Sequence, residues 1–343
     1  MSDVTEEVER LLRQAARQAL HAGRFWFGLG LSILAFYLAV RRVDLGQVRA
    51  TLVHPSWPWM VLAWVSVLIT LALKALRWQA TYPGGERRPP MATLTSTLAV
   101  GMMANLLIPI RLGELIRAYL LSRLAQRPVG MTLSTIVVEK WSDLVALAIA
   151  FFATIPFVRW PDWVQFWGLR VAATGATITG ALFVAGWMLA RWRGDAILAL
   201  PWQWSGYLRG PIQSIQAGLA ILRSPMQLAV VLGWTAVVWC TSAATNYLVL
   251  RGVRLPASWE ASWVLLILLQ AGSALPSSPG KVGVFHYLAV LGLSLYGIAD
   301  APALAYAIWL HLLVVGTLIM LGWICLLAIL FRPQPTLHRL ETR

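Results

Sequence analysis

Charged side chains are scarce in this chain, and their scarcity limits the class of protein to which it can belong. Of the 343 residues only 12% are charged, whereas 59% are hydrophobic, and the mean hydropathy is +0.68. An ordinary soluble domain carries charge on about a quarter of its residues. The composition therefore excludes a soluble globular protein and indicates a membrane protein.

Residues that form disulfides or bind metals are also few. The chain has two cysteines, Cys240 and Cys325, both within apolar stretches, and five histidines. No cysteine or histidine cluster has the spacing of a metal site, and there is no Walker loop, GxSxG motif or dinucleotide fingerprint. The sequence predicts no disulfide framework, no metal and no cofactor.

The net charge of +14 does not indicate a nucleic-acid partner. The basic residues lie in short loops beside apolar stretches, where they act as topology signals and contact anionic lipid headgroups. We therefore expect membrane phospholipid, and no nucleic acid, as the partner of this chain.

Long apolar runs are what the chain has in abundance. Six of them are long enough to cross a hydrocarbon core, which takes about 20 helical residues. They are approximately Phe25–Val40, Trp57–Leu76, Met131–Val158, Gly168–Ala190, Met226–Leu250 and Ala303–Phe331. Residues 1–24 precede them and fit either a helix on the cytoplasmic membrane surface or a short solvated helix, and residues 332–343 are predicted to be a cytoplasmic tail.

One motif occurs twice, 170 residues apart. Pro109-Ile110-Arg111-Leu112-Gly113 and Pro279-Gly280-Lys281-Val282-Gly283 each interrupt an apolar stretch, and Pro276 precedes the second copy. The same offset superposes Pro55 on Pro225 and Trp64 on Trp234. An internal duplication with a broken apolar segment in each copy is typical of transporters. We place repeat 1 at about 45–190 and repeat 2 at about 215–331.

Each broken stretch fits a re-entrant hairpin or a kinked span, because non-helical backbone at membrane depth must be buried in protein or line a watery cavity. Arginines favour the cytoplasmic side. If the broken stretches are hairpins, the cytoplasmic side carries a larger excess of arginines, Arg77 among them, than if they are full spans. The predicted fold is therefore all-α and polytopic, with six transmembrane helices, two re-entrant hairpins in an inverted repeat, and both termini cytoplasmic.

Charges gather around the first break. Arg111, Glu114 and Arg117 lie beside it, and the next span carries Glu139, Lys140 and Asp143. Each such charge costs roughly 2.5–3.5 kcal/mol at the centre of a membrane helix. Pairing between the two segments would satisfy most of them. The set is either a structural ion-pair network or, together with Lys281, a site whose cations bind a phosphate.

Two further polar positions have two interpretations each. Asn105 is a candidate headgroup contact, although polar residues near broken helices often satisfy freed backbone groups. His286 is a candidate proton carrier or an ordinary hydrogen-bonded helix residue.

These motifs together resemble the membrane domain of the lysylphosphatidylglycerol synthase family. The residues that carry the resemblance are Asn105, Pro109, Arg111, Gly113, Glu114 and Arg117, then Glu139-Lys140-x-x-Asp143, then Pro276-x-x-Pro279-Gly280-x-x-Gly283. It covers most of the chain, and we draw a flippase-like transmembrane domain over 25–331. Two positions depart from the family pattern: Lys140 stands where arginine is usual, and His286 where an acidic residue is common.

The resemblance implies an integral protein of the prokaryotic inner membrane that moves a lipid between leaflets. Full-length members also carry a cytoplasmic domain that transfers an amino acid from charged tRNA, and we expect no such domain here. Arg111, Arg117 and Lys281 are then predicted to engage a lipid phosphate, while Glu114, Glu139 and Asp143 position them or contact a cationic headgroup.

Two other functions stay open from the sequence. One is an intramembrane lipid or polyprenyl transferase with Glu139 or Asp143 as general base, although no nucleophile or metal site marks an enzyme. The other is a non-transporting partner of a lipid-modifying enzyme or glycosyltransferase. That enzyme and a second copy of the chain are the candidate protein partners.

Overall fold

The computed structural model describes residues 23–41, 43–82, 88–108, 112–158, 160, 162–191, 202–256, 258–273, 275 and 277–331. This part of the chain consists of helices and their connections, with no β-strand. The surface helix predicted within 1–24 and the tail 332–343 lie outside it, apart from the first residues of the first helix.

The helices follow one another with short connections. In chain order they are α1 (Gly23–Val40), α2 (Leu45–Val53), α3 (Trp57–Ala80), α4 (Met91–Leu107), α5 (Gly113–Ala125), α6 (Val129–Thr154), α7 (Asp162–Arg191), α8 (Trp202–Leu219), α9 (Pro225–Gly252), α10 (Trp259–Gly272), α11 (Val284–Ser294), α12 (Asp300–His311) and α13 (Thr317–Leu330). A π-helical segment, Leu312–Gly316, joins α12 to α13. Two 3-10 turns lie at Ala220–Arg223 and Pro279–Lys281.

Polar caps begin several of these helices where the chain enters an apolar run. The side chain of Ser224 accepts a hydrogen bond from the Gln227 amide ahead of α9, and Ser258 accepts one from the Ala261 amide ahead of α10. Each cap satisfies an amide that has no partner within its helix. Apolar residues then cover the outside, since Val61, Ile69, Trp323 and other large side chains are exposed. Such a surface belongs in lipid.

Three helical segments are long and apolar enough to cross a membrane: α3, α9 and the continuous run Asp300–Leu330. A fourth arises if α1 and α2, which meet at 88°, are taken as one broken span. The polytopic membrane fold predicted from the sequence is thus supported, whereas six spans remain a prediction. Helices α6 and α7, with 26 and 30 residues, have sufficient length at about 1.5 Å per residue.

The order of helices repeats as the motif does. Helices α9, α10, α11 and α12 each begin within two residues of the position reached by shifting α3, α4, α5 and α6 by 170 residues. Contacts between the halves recur in equivalent pairs. Helix α2 packs on α12, and the equivalent contact is that of α8 with α6. Helix α4 packs on α13, and the equivalent contact is that of α10 with α6.

Helices α3 and α9, the first long helix of each half, form the most extensive contact between the halves and run antiparallel. Met60 packs against Gly252, the Ser66 hydroxyl hydrogen-bonds the Thr245 hydroxyl at 2.9 Å, and Arg77 reaches Thr235. Residue numbers thus increase along α3 while those of the contacted residues on α9 decrease. Met60 belongs to a hydrophobic core shared with α9–α12, whereas Leu71 and Trp78 belong to a second core with α4–α6.

Candidate site at the helix breaks

The first hairpin, α4 and α5, is held closed at its break by small residues and by Asn105. A methyl group on Gly113 would overlap the carbonyl oxygen of Gly101, so the two helices touch through their backbones. The Asn105 side chain accepts a hydrogen bond from the Gly113 amide at 2.8 Å and donates one to Glu114 at 3.2 Å. Asn105 therefore satisfies the start of α5, and both of its groups are engaged within the hairpin.

The charges of α5 pair with those of α6, as the sequence analysis expected. Arg117 forms an ion pair with Glu139 and lies 3.3 Å from Glu114. Lys140 lies 2.7 Å from Glu114. Glu139 and Lys140 are neighbours in sequence, so one turn of α6 receives both contacts from α5.

Arg77 is the member of this cluster that the sequence analysis missed. The arginine distribution places it in a cytoplasmic loop, and the loop placement is wrong, because α3 continues to Ala80 and the Arg77 side chain is fully buried. Its guanidinium lies 3.0 Å from Glu139 and 2.5 Å from Asp143. The available signal was spacing: Arg77 follows Lys74 by three residues, on one helical face of an apolar run.

The cluster is balanced in charge. Its cations are Arg77, Arg117 and Lys140, and its carboxylates are Glu114, Glu139 and Asp143. A buried charge without a partner is strongly unfavourable, so the mutual pairing explains how an apolar helix bundle accommodates these six residues.

Exposure separates the six residues into an inner and an outer group. The side chains of Arg77, Arg117 and Glu139 are at most 5% exposed, whereas Lys140 is 53%, Asp143 29% and Glu114 26% exposed. The inner three hold α3, α5 and α6 together. Only the outer three can touch a ligand without rearrangement.

Aromatic and hydroxyl side chains enclose the inner group. The Arg117 guanidinium stacks on the Trp78 ring at 4.4 Å from its centroid, and the Trp78 indole donates to Thr135 at 3.1 Å. From the second half of the chain, Trp239 donates to Asp143 at 3.4 Å. The cluster therefore joins both halves through α9.

The second break has a strained tip. Gly280 and Lys281 have φ values of 69° and 59°, in the left-handed region that residues with a side chain rarely adopt. At Gly283, with φ of 92°, a side chain would overlap the carbonyl oxygen of Ser32 in α1, while the Ser32 hydroxyl accepts a hydrogen bond from the Ser278 amide at 2.8 Å. The tip is thereby held against α1, and α4 also contacts the turn Pro279–Lys281.

Two histidines lie behind this tip. The rings of His286 and His311 stack at 4.9 Å between centroids, and His311 lies within electrostatic reach of Lys281. Pro109 and Arg111 at the first tip, and Pro276 before the second, lie outside the described residues.

Two cavities lie along α9 and α10. One, of 490 Å³, is an apolar groove between α6, α9 and α10. The other, of 160 Å³, lies between the two halves of the chain and contains Lys74 on its wall. Sequence reasoning did not single out Lys74, although a lone lysine inside the apolar stretch Trp57–Leu76 was a sufficient signal.

A protein-family model matches most of the chain. The family model described as the lysylphosphatidylglycerol synthase TM region matches residues 25–331, a range that contains both breaks, the ion cluster and both cavities. No curated protein and no solved structure matches the chain. The match spans far more than half of the sequence. The chain therefore belongs to the family of lysylphosphatidylglycerol synthase transmembrane regions.

Proposed function

We propose that this membrane domain moves an anionic phospholipid or a lipid-linked substrate between the leaflets of the prokaryotic cytoplasmic membrane. The observation that carries the proposal is the antiparallel packing of α3 on its equivalent, α9. Equivalent helices run in opposite directions when the two-fold axis between them is perpendicular to the helices. The packing thus supports two halves of opposite orientation in the membrane, the design that many transporters use for alternating access.

The two breaks fit this scheme. Each lies at the equivalent position of its half, and the second contacts the first hairpin through α4. Inverted halves would open the two hairpins toward opposite sides and bring their tips together near the midplane, where such transporters bind substrate. We assign both termini to the cytoplasm, because that orientation gives the larger excess of cytoplasmic arginines.

The charged residues divide into two roles under this proposal. Arg111 and Lys281 at the two tips would contact the substrate phosphate, and the outer residues Glu114, Lys140 and Asp143 would line its path. Arg117 and Glu139 are buried and paired, so we assign them to positioning α5 rather than to phosphate binding. This revises the direct phosphate contact that the sequence analysis assigned to Arg117.

Inversion predicts opposite sidedness for the outer ends of the two hairpins. Arg123 in the last turn of α5 and Ser294 at the end of α11 are both exposed. In a chain whose Cys240 and Cys325 are replaced by serine, a membrane-impermeant maleimide added to intact cells should label Ser294→Cys and leave Arg123→Cys unlabelled until the cells are opened. Labelling of both positions from the same side would contradict the inverted arrangement.

Leaflet exchange of labelled phospholipids in proteoliposomes tests the transport itself. We expect the native chain to accelerate exchange of at least one anionic lipid, and Arg111→Ala and Lys281→Ala each to lower the rate by roughly tenfold or more. The reason is that a hydrogen bond to a charged group contributes about 1.5–3 kcal/mol.

The matched control for the exchange measurement is Arg49→Ala, which removes an exposed arginine on α2, a helix that contains neither tip. It should exchange lipid at the native rate when reconstituted at the same density. A native chain that moves no lipid from a broad panel would refute the transport proposal.

A further inference from the structure

We propose that the cavity between the two halves binds the phosphate of an anionic lipid headgroup, with Lys74 as its cation and the neighbouring groove holding a hydrocarbon chain of the same lipid. This inference rests on the proposed function, because it specifies the headgroup class and the resting position of the transported molecule.

The first argument is the state of Lys74. Its ammonium group makes no ion pair or hydrogen bond with the described residues, although Arg77, one turn further along α3, is paired twice. The charged groups that act on Lys74 are Asp143, Arg77, Lys140 and Glu139. These belong to the balanced cluster, so Lys74 adds one positive charge that the cluster does not neutralise. A charged side chain in a membrane helix that forms no ion pair indicates a functional site.

The second argument is the chemistry of the cavity wall. Gln270 of α10 lines the same cavity from the other half, and its side-chain amide makes no hydrogen bond with the described residues. An ammonium and an amide offer donors to phosphate oxygens from two sides. Aliphatic side chains such as Leu71, Leu266 and Val314 form much of the remaining wall. The volume of 160 Å³ admits several small groups, and the mixed wall suits a phosphate attached to an apolar body.

The third argument is that the groove and the cavity are neighbours on the same two helices, α9 and α10. On α10, Trp263 lines the groove, and Leu266 and Gln270 line the cavity, at spacings of three and four residues that share one face. On α9, Trp239 lines the groove and Ser242 and Asn246 line the cavity at the same spacings.

The walls of the groove are almost entirely apolar, and the groove lies among helices with lipid-facing residues. A hydrocarbon chain is therefore the occupant that matches both the lining and the position. Asp143 lies beside the groove, since it accepts a hydrogen bond from Trp239 of the groove wall.

The cavity also adjoins the second tip. Phe285 lines it and contacts the ring of His311, and His311 lies within reach of the Lys281 charge. Part of the segment behind the second tip therefore forms one wall of the cavity.

Lipid binding to the purified full chain tests this site without any flux measurement. Native mass spectrometry would compare phosphatidylglycerol, phosphatidylcholine and inorganic phosphate as ligands. We expect phosphatidylglycerol to bind more tightly than phosphatidylcholine, and Lys74→Gln to weaken phosphatidylglycerol binding by roughly tenfold or more. Lys74→Arg should retain most of the affinity because it retains the charge, and Arg49→Gln should bind as the native chain does.

Two additional variants protect the test against a folding defect in Lys74→Gln. Gln270→Leu, at an exposed position, should also weaken phosphatidylglycerol binding. Ala236→Trp, which fills the groove, should weaken a long-chain phosphatidylglycerol more than its dihexanoyl form. Unchanged binding in both Lys74→Gln and Gln270→Leu would overturn the site. Displacement of the lipid by equimolar inorganic phosphate would overturn its assignment to a lipid.

Failure of this site differs from failure of transport. Binding that depends on Lys74, without any lipid exchange by the native chain, would leave the site standing and refute transport. Exchange and binding that both persist in Lys74→Gln would leave transport standing and refute the site.

Discussion

Replacing Glu139 with glutamine should lower the free energy of unfolding by about 3–5 kcal/mol, the range observed when one partner of a buried ion pair is removed. Glu139 is the carboxylate that both inner arginines share: Arg77 lies 3.0 Å from it, and Arg117 pairs with its other oxygen. Glutamine keeps the size of the side chain and removes its charge. Two buried guanidinium groups would then share the remaining, more exposed carboxylates.

Unfolding of the purified chain in mixed micelles, titrated with SDS and followed by tryptophan fluorescence, measures this change. The matched control is Glu260→Gln, because Glu260 is exposed at the start of α10. Its effect should stay within about 0.5 kcal/mol, as is usual for surface positions. Equal losses in the two variants would show that the cluster contributes no specific stability.

Gly113→Ala should separate the two helices of the first hairpin and destabilise the chain by about 1–3 kcal/mol, the usual cost of overpacking. The new methyl group would overlap the Gly101 carbonyl oxygen and lie 2.6 Å from the Asn105 side chain. Neither obstacle can swing aside easily, since one is backbone and the other bridges the Gly113 amide and Glu114. We therefore also expect the geometry of Glu114 and Arg117 to be disturbed.

The same titration measures this variant, with Gly233→Ala in α9 as its control. A methyl group on Gly233 meets no atom within 4 Å, and the residue is exposed. Alanine there should be neutral or stabilising by up to about 1 kcal/mol, because glycine is the poorer helix former. A native-like Gly113→Ala variant would mean that the α4–α5 contact is looser than the structure shows.

The balanced cluster changes how the charges near the first break are understood. From the sequence, Arg117 was a candidate phosphate ligand, but its guanidinium is buried, paired with Glu139 and stacked on Trp78. A substrate would have to displace a carboxylate to reach it. Lys74 forms no ion pair with the described residues, so a phosphate could reach its ammonium group without displacing a carboxylate.

The positions of the helix breaks could be predicted because their causes are local. Proline removes a backbone donor and kinks or breaks a helix in its interior, and glycine permits the left-handed φ values seen at Gly280 and Gly283. The 170-residue repeat likewise needed only comparison of the chain with itself, and helix boundaries follow it closely. The pairing of Glu114 with α6 was also foreseeable, since α5 and α6 are consecutive.

Arg77 and Lys74 escaped prediction for a different reason. A basic residue near the end of an apolar run fits a cytoplasmic loop as well as a buried position, and hydropathy alone does not separate the two. The separation comes from α6, whose Glu139 and Asp143 lie against α3 although more than 60 residues separate them from Arg77 along the chain. The binding role proposed for Lys74 depends on the cavity, whose wall α9 and α10 complete.

The sequence by itself therefore determined the membrane class, the helical content and the sites of interruption, because transfer to lipid, helix periodicity and proline geometry act on neighbouring residues. Tertiary structure alone decided which charges neutralise one another and that Lys74 forms no ion pair with the part of the chain that the structure describes. The structure also shows α3 and its equivalent α9 packed antiparallel, in agreement with the inverted order that the arginines favour. These outcomes depend on which helix faces each side chain, and helical periodicity specifies the face of a residue but not its neighbour.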